Sequence, residues 1–196
     1  MELLLDSETY SRVFILFSNT AATAPVFSEW TLTTEGGRMD VVARSALYAL
    51  WDTKNAPRRN TLFIAVLNGP PNPPVSIYIP PFPVELSETA IGLEILKTMK
   101  GLPAKILLER AGLTDLIEKL QGRYRLTLLI ENGVDIKNTD ITPREKHAFI
   151  IGDHIGFPPD ILKELRRTVD LQVSIGPLSY LASHCIAFIN EWLDAQ

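Results

Sequence analysis

The chain has a single cysteine among its 196 residues, so no disulfide can close within it and an oxidising destination gains no support. Histidine is nearly as scarce, at three residues, and neither paired CxxC nor HExxH spacing occurs, which removes the familiar zinc motifs. Neither GxGxxG nor a P-loop is present, so those phosphate cradles are not indicated. No uncharged run approaches the length of a membrane span. No charged n-region followed by an apolar stretch opens the chain, and a cytosolic protein without a membrane partner is expected. Basic charge is not in excess. The formal net charge of −4 argues against a broad basic face for nucleic acid but leaves room for a local patch. Repeats and low-complexity tracts are absent as well.

What is present is apolar sequence in short, regularly spaced runs. Val13 to Phe17, Thr61 to Leu67, Leu126 to Ile130 and Ala148 to Ile151 are largely apolar runs of strand length, and Leu171 to Ile175 also reads as a strand. Apolar runs without alternation fit strands covered on both faces. Val75 to Ile79 alternates inside a proline-rich segment and predicts an edge strand. Ile106 to Glu109 predicts a short one. Helical spacing marks Val41 to Leu50, Ser87 to Met99, Leu113 to Gln121 and Pro159 to Arg167. A last helix is predicted to start at once after Gly176, with Pro177 in its first turn, where a missing N–H costs nothing. Its apolar stripe runs through Leu178, Leu181, Ala182, Cys185, Ile186, Ile189, Trp192 and Leu193, and its opposite side carries Ser179, Ser183, His184, Asn190 and Glu191. Strands alternating with helices predict an α/β fold, a mostly parallel sheet with helices on both faces. Residues 1–12 are mixed and charged and read as an N-terminal extension, and residues 20–37 as a long loop of the kind that often carries function.

Three strands end in a glycine-bearing turn: Glu131-Asn132-Gly133, Gly152 to Gly156, and Gly176-Pro177. Neighbouring ends of this kind would line one crevice at the carboxyl edge of the sheet, where open α/β sheets hold ligands. Glycines also end strands for purely local reasons. Asp153, His154, His184 and Cys185 lack metal-site spacing, and no metal is expected. Cys185 as a nucleophile would need His147, His154 or His184 as its base, but it sits on the apolar stripe, and a free cysteine is ordinarily a small buried hydrophobe. Arg38, Arg44, Arg58 and Arg59 form the one notable basic grouping, either a solvated face or a set of phosphate contacts. Asp40 caps a helix or faces a substrate as an acceptor.

The segments FILFSNTAAT, GRMDVVAR (Gly37 to Arg44), RRNTLFIAVLNGPPNPP, LLIENGVDI, FIIGDHIG and VSIGPLSYLASHCI occur in one order across almost the whole chain. In these the chain resembles the archaeal tRNA (pseudouridine-54-N1) methyltransferases of the SPOUT superfamily. The resemblance implies one domain over residues 13–196 with a C-terminal trefoil knot, bound S-adenosyl-L-methionine, a homodimer and tRNA as partner. Composition could never have suggested a knot. Carried over by motif, the cofactor positions are Leu129, Gly152, Ile175, Gly176, Pro177, Leu178, Ser179, Tyr180 and Cys185. The family's last motif more often reads SLHADHC, so Leu181 and Ser183 stand here in place of a histidine and an aspartate. Under this resemblance Asp40 contacts the pseudouridine N1–H, Arg38 holds a phosphate or base edge, Arg44, Arg58 and Arg59 contact RNA, and Cys185 is a pocket wall. Another RNA, such as a ribosomal pseudouridine, and a non-catalytic cofactor-binding dimer are the alternative readings.

Overall fold

The computed structural model describes residues 9–196, so most of the predicted extension over residues 1–12 lies outside the described residues. Arg12 itself opens the first strand, β1 (Arg12–Ser18). The others are β2 (Thr61–Leu67), β3 (Val75–Ile79), β4 (Leu107–Glu109), β5 (Arg125–Asp135), β6 (His147–Gly152) and β7 (Leu171–Ser174). Among the described residues five α-helices join them: α1 (Met39–Leu50), α2 (Glu88–Met99), α3 (Leu113–Leu120), α4 (Pro159–Thr168) and α5 (Ala182–Asp194). All seven strands form one sheet in the order β4-β3-β2-β1-β6-β5-β7. The five strands from β2 to β7 in that order run parallel, and β3 alone runs against its neighbours.

The apolar strand runs are explained by the two cores they separate. Along β1, Phe14 and Leu16 point to one side with α1, α2 and α5, and Val13, Ile15 and Phe17 to the other with α3 and α4. β2 divides in the same way, with Phe63 and Ala65 in the first core and Leu62, Ile64 and Val66 in the second. A strand buried on both faces needs apolar side chains at every position, which is why no alternation appears. Phe14 and Phe149, paired across β1 and β6, stack with ring centres 5.5 Å apart.

Three predicted features differ. β3 is no edge: β4 covers its outer side, and all five of its residues are buried. β5 does not end at Ile130. It bulges after Leu129 and resumes, so that both Leu129 and Val134 face Val173 of β7. The Asn132-Gly133 pair that reads as a terminator lies inside this irregularity. A Cβ at Gly133 would stand 2.3 Å from the Val173 carbonyl carbon, so only glycine lets the two backbones approach. Third, α5 starts at Ala182 and not at Pro177. The Ser174 hydroxyl donates to Gly176 O at 2.6 Å and accepts from Gly176 N at 3.1 Å, a local turn that competes with helix. Residues 177–181 are therefore a strap, with Leu178 and Leu181 exposed, while Ser183 and Asn190, expected on the wet side, are buried.

Candidate functional site

The strap closes one side of a cavity of about 470 Å³ at the β5 bulge and the carboxyl ends of β6 and β7. Leu129, Ile130 and Glu131 contribute one wall, residues 151–157 a second, and Val173 to Gly176 with the strap and the first turn of α5 a third. The three glycine-bearing segments thus meet at the cavity, although the first stands at the β5 bulge and reaches it only through Glu131. Of the predicted cofactor positions, Leu129, Gly152, Ile175, Gly176, Leu178, Ser179, Tyr180 and Cys185 line it, and Pro177 belongs to the strap without lining it. Tyr180 folds its ring over Gly176. Cys185 places Sγ 4.0 Å from Tyr180 O, and burial pushes its thiol up to about 11, which keeps it neutral. A neutral thiol is a wall and not a nucleophile. Ser183 is buried and does not line the cavity, whereas Leu181 does, so only one of the two unusual positions meets the ligand space. Among the described residues no group of three or more His, Cys, Asp or Glu is placed to hold a metal ion.

Arg38 and Asp40 stand at the start of α1. Arg38 has left-handed backbone angles (φ 69°, ψ 36°), which cost an arginine about 1–2 kcal/mol. Such an outlier persists only where its surroundings hold it. Asp40 holds it: Nε donates to Oδ1 at 2.9 Å and Nη2 to Oδ2 at 3.0 Å, a bidentate pair. Arg44 adds a second cation 3.7 Å from Oδ2. Burial pushes the Asp40 carboxyl up, but the Arg38 hydrogen bonds and charge outweigh it and hold the group below the usual carboxylate range. Asp40 is therefore an anion at neutral pH. Its side chain is 9% exposed beside an Arg38 side chain 39% exposed, so the more exposed partner of the pair is the cation.

The other arginines divide. Arg44 donates to Glu88 at 2.6 and 3.1 Å, on the same face as Arg38. Arg58 and Arg59 precede β2 and so stand at the amino edge of the sheet, the edge opposite the cavity. Arg58 is engaged there by Asp194 and Glu191, while Arg59 is exposed. The residues that link the Arg38 segment to the cavity were not anticipated. Asp153, the first residue beyond β6, accepts from Asn19 N at 2.7 Å and from Asn19 Nδ2 at 2.8 Å, and Asn19 is the first residue beyond β1. A usable signal exists, since a polar residue stands two positions beyond each of two apolar runs, but it requires knowing that β1 and β6 are neighbours.

Residues 11–196 match the family model described as "Putative SAM-dependent RNA methyltransferase". The chain belongs to that family. It is 35% identical to the tRNA (pseudouridine(54)-N(1))-methyltransferase of Pyrococcus abyssi, over 93% of this chain and 97% of that protein. Against the enzyme of the same name from Thermococcus kodakarensis it is 33% identical, over 94% and 100%. The structure of Archaeoglobus fulgidus Nep1 bound to S-adenosylhomocysteine superposes with a TM-score of 0.61 at 16% identity, covering 94% of this chain and 99% of that one. At that identity the likeness speaks for the fold.

Proposed function

We propose that this chain is an S-adenosyl-L-methionine-dependent methyltransferase that modifies N1 of pseudouridine at position 54 of tRNA. The observation that carries the reading is the convergence of the β5 bulge and the β6 and β7 ends on one cavity, tied by a hydrogen-bonded link to an arginine-clamped carboxylate. The cavity's volume lies within the range of small-molecule sites, about 300–1,000 Å³. Leu129, Val173 and Leu178 offer apolar walls for a flat base, and the Glu131 and Asp153 carboxylates offer anions to a cationic, hydroxyl-bearing ligand. The residues present fit the cofactor. Leu129, Gly152, Ile175 to Tyr180 and Cys185 would hold it, and when bound it supplies an electrophilic methyl group on a sulfonium.

The reaction is an in-line displacement, so the chain's main contribution is position. Asp40, kept ionised by Arg38, accepts a hydrogen bond from N1–H of the target base. As N1 is alkylated its proton becomes strongly acidic and passes to the carboxylate and on to water. Arg38, half exposed, contacts a phosphate or the base edge, and Arg44 contacts the backbone nearby. Arg59, at the other edge, is left for a remote phosphate, since the Arg58 guanidinium already has two carboxylate partners.

The same reading includes a C-terminal trefoil knot, a homodimer and a cytoplasmic location. Passage of the β5 continuation hard against β7 at Gly133 supports the knot. Ile155, Leu178 and Leu181, 58%, 66% and 51% exposed on the cavity rim, support a second copy covering that rim. Methyl incorporation into a tRNA transcript carrying pseudouridine at position 54, compared with one carrying uridine there, tests the function. Incorporation into the first alone is expected. Incorporation into neither, or into ribosomal RNA instead, would overturn the substrate.

A further inference from the structure

The Asn19–Asp153 pair joins the two halves of the site, and both N–H groups of the Asn19 side-chain amide have a partner. Asn19 N donates to Asp153 Oδ2 at 2.7 Å, and Nδ2 donates to both Asp153 Oδ1 and Gly156 O at 2.8 Å. Asp153 Oδ1 also accepts from Ile155 N at 2.9 Å, so the carboxylate shapes the 153–156 turn that walls the cavity. Behind it, Asp153 N donates to Phe17 O at 3.0 Å, which locks the turn to the end of β1.

From Asn19 the next residue carries the link onward. Thr20 Oγ1 donates to Gly37 O at 2.8 Å, and Ala22 N to Gly36 O at 3.0 Å. Gly37 has φ 60°, and a Cβ there would stand 1.9 Å from Thr20 O, so residues 20 and 37 are packed backbone to backbone. Arg38 follows directly, itself left-handed and clamped to Asp40. The Asp153 charge is close enough to act favourably on the Arg38 guanidinium. The path thus runs from the cavity wall to the Arg38–Asp40 pair through one side-chain pair and one tight backbone contact.

We infer that Asn19 and Asp153 are positioning residues that set the Arg38–Asp40 pair against the cofactor cavity. The inference rests on the proposed roles of that cavity and that pair. Neither side chain needs to touch the reacting atoms: the link fixes where the carboxylate stands relative to the methyl donor, and displacements of about 1 Å cost such reactions about 100-fold. Ordering the 153–156 turn around a ligand should also steady residues 36–40.

The test is Asn19→Ala, which removes both Nδ2 bonds and leaves the backbone bond to Asp153. The expected result is a split: S-adenosylhomocysteine affinity by calorimetry within about 3-fold of wild type, and kcat for tRNA methylation down at least about 10-fold. Hydrogen exchange at the amides of residues 36–40 should slow when S-adenosylhomocysteine is added to the wild type, and should not slow in the variant. An unchanged kcat, a kcat loss wholly matched by lost cofactor affinity, or equal slowing of exchange in both proteins would overturn the inference. If the wild type shows the exchange effect yet methylates no tRNA, the functional reading falls and the link stands. Should Asn19→Ala fail to fold, Asn19→Ser, which keeps a hydroxyl facing Asp153, is read by the same measurements.

Discussion

Arg38 grips Asp40 through two parallel hydrogen bonds of 2.9 and 3.0 Å, two residues apart in sequence and across the first turn of α1. The grip holds Arg38 in a left-handed conformation and Asp40 in its anionic form at once. A carboxylate so stabilised is a poor proton acceptor in the ground state and a good one only when its partner becomes acidic, which suits a base whose proton is lost during alkylation.

Asp40→Asn keeps the shape and removes the charge. It should lower kcat about 10²-fold, the usual scale for a lost acid–base group, with S-adenosylhomocysteine binding unchanged. Steady-state kinetics alongside calorimetry separate the two effects. Unaltered turnover would remove Asp40 from the chemistry.

Cys185 is a different case, because burial holds its thiol up near about 11. At pH 8 the thiolate is then only about one part in 10³. Iodoacetamide should label Cys185 far more slowly than a free thiol, with the rate still rising tenfold per pH unit at pH 9. S-adenosylhomocysteine should slow it further by covering the wall. Cys185→Ala should retain kcat within a few-fold while weakening cofactor binding.

How far residues announce their structure depends on how local the cause is. β2 coincides with its apolar run because burial on both faces acts residue by residue. The start of α5 was misplaced because Leu178 and Leu181 match helical spacing, while the Ser174–Gly176 turn that stops the helix is a side-chain effect with no periodicity. β5 was cut short at Asn132-Gly133 because close passage of β7 gives glycine a second use that local sequence does not distinguish from a turn. The cavity is legible through its three glycine-bearing segments, since parallel neighbours β6 and β7 present their carboxyl ends together beside the β5 bulge. The Asn19–Asp153 link is not, because it joins residues 134 apart and exists only once β6 lies beside β1. Arg58 and Arg59 are close to Arg38 and Arg44 in sequence but at the opposite sheet edge, which a linear grouping of charges does not reveal.

Gly133 supplies a direct stability test. In Gly133→Ala the new Cβ would meet Val173 backbone at 2.3 Å, and backbone atoms cannot swing aside as a side chain would. Separating β5 from β7 should cost about 3 kcal/mol, at the upper end for overpacking. For a chain of this size that lowers Tm by about 6–12 °C in thermal unfolding. Asn132→Ala, in the same bulge at an exposed position, should cost little by comparison. Equal Tm values for the two variants would show that the bulge has no tight contact.

His147 makes stability depend on pH just below 6.5. It is buried at the start of β6, stacked on Phe149 with ring centres 5.7 Å apart, and Nε2 lies 3.0 Å from Thr142 O. That contact makes Nε2 the protonated nitrogen of a neutral ring, while Nδ1 is buried with no partner among the described residues. Burial, only partly offset by the Thr142 carbonyl and Glu145, pushes the folded-state value below the ordinary 6.5. The unfolded chain therefore binds a proton more readily than the folded one. His147 takes nothing from stability above pH 6.5, and stability falls as pH drops from 6.5 toward the folded value, by at most about 1.4 kcal/mol per pH unit. Urea unfolding between pH 8 and pH 5 should show that slope. His147→Gln, which cannot titrate but can still donate toward Thr142, should flatten it near pH 6 even if it lowers stability overall. A variant with the wild-type slope would assign the pH dependence to other groups.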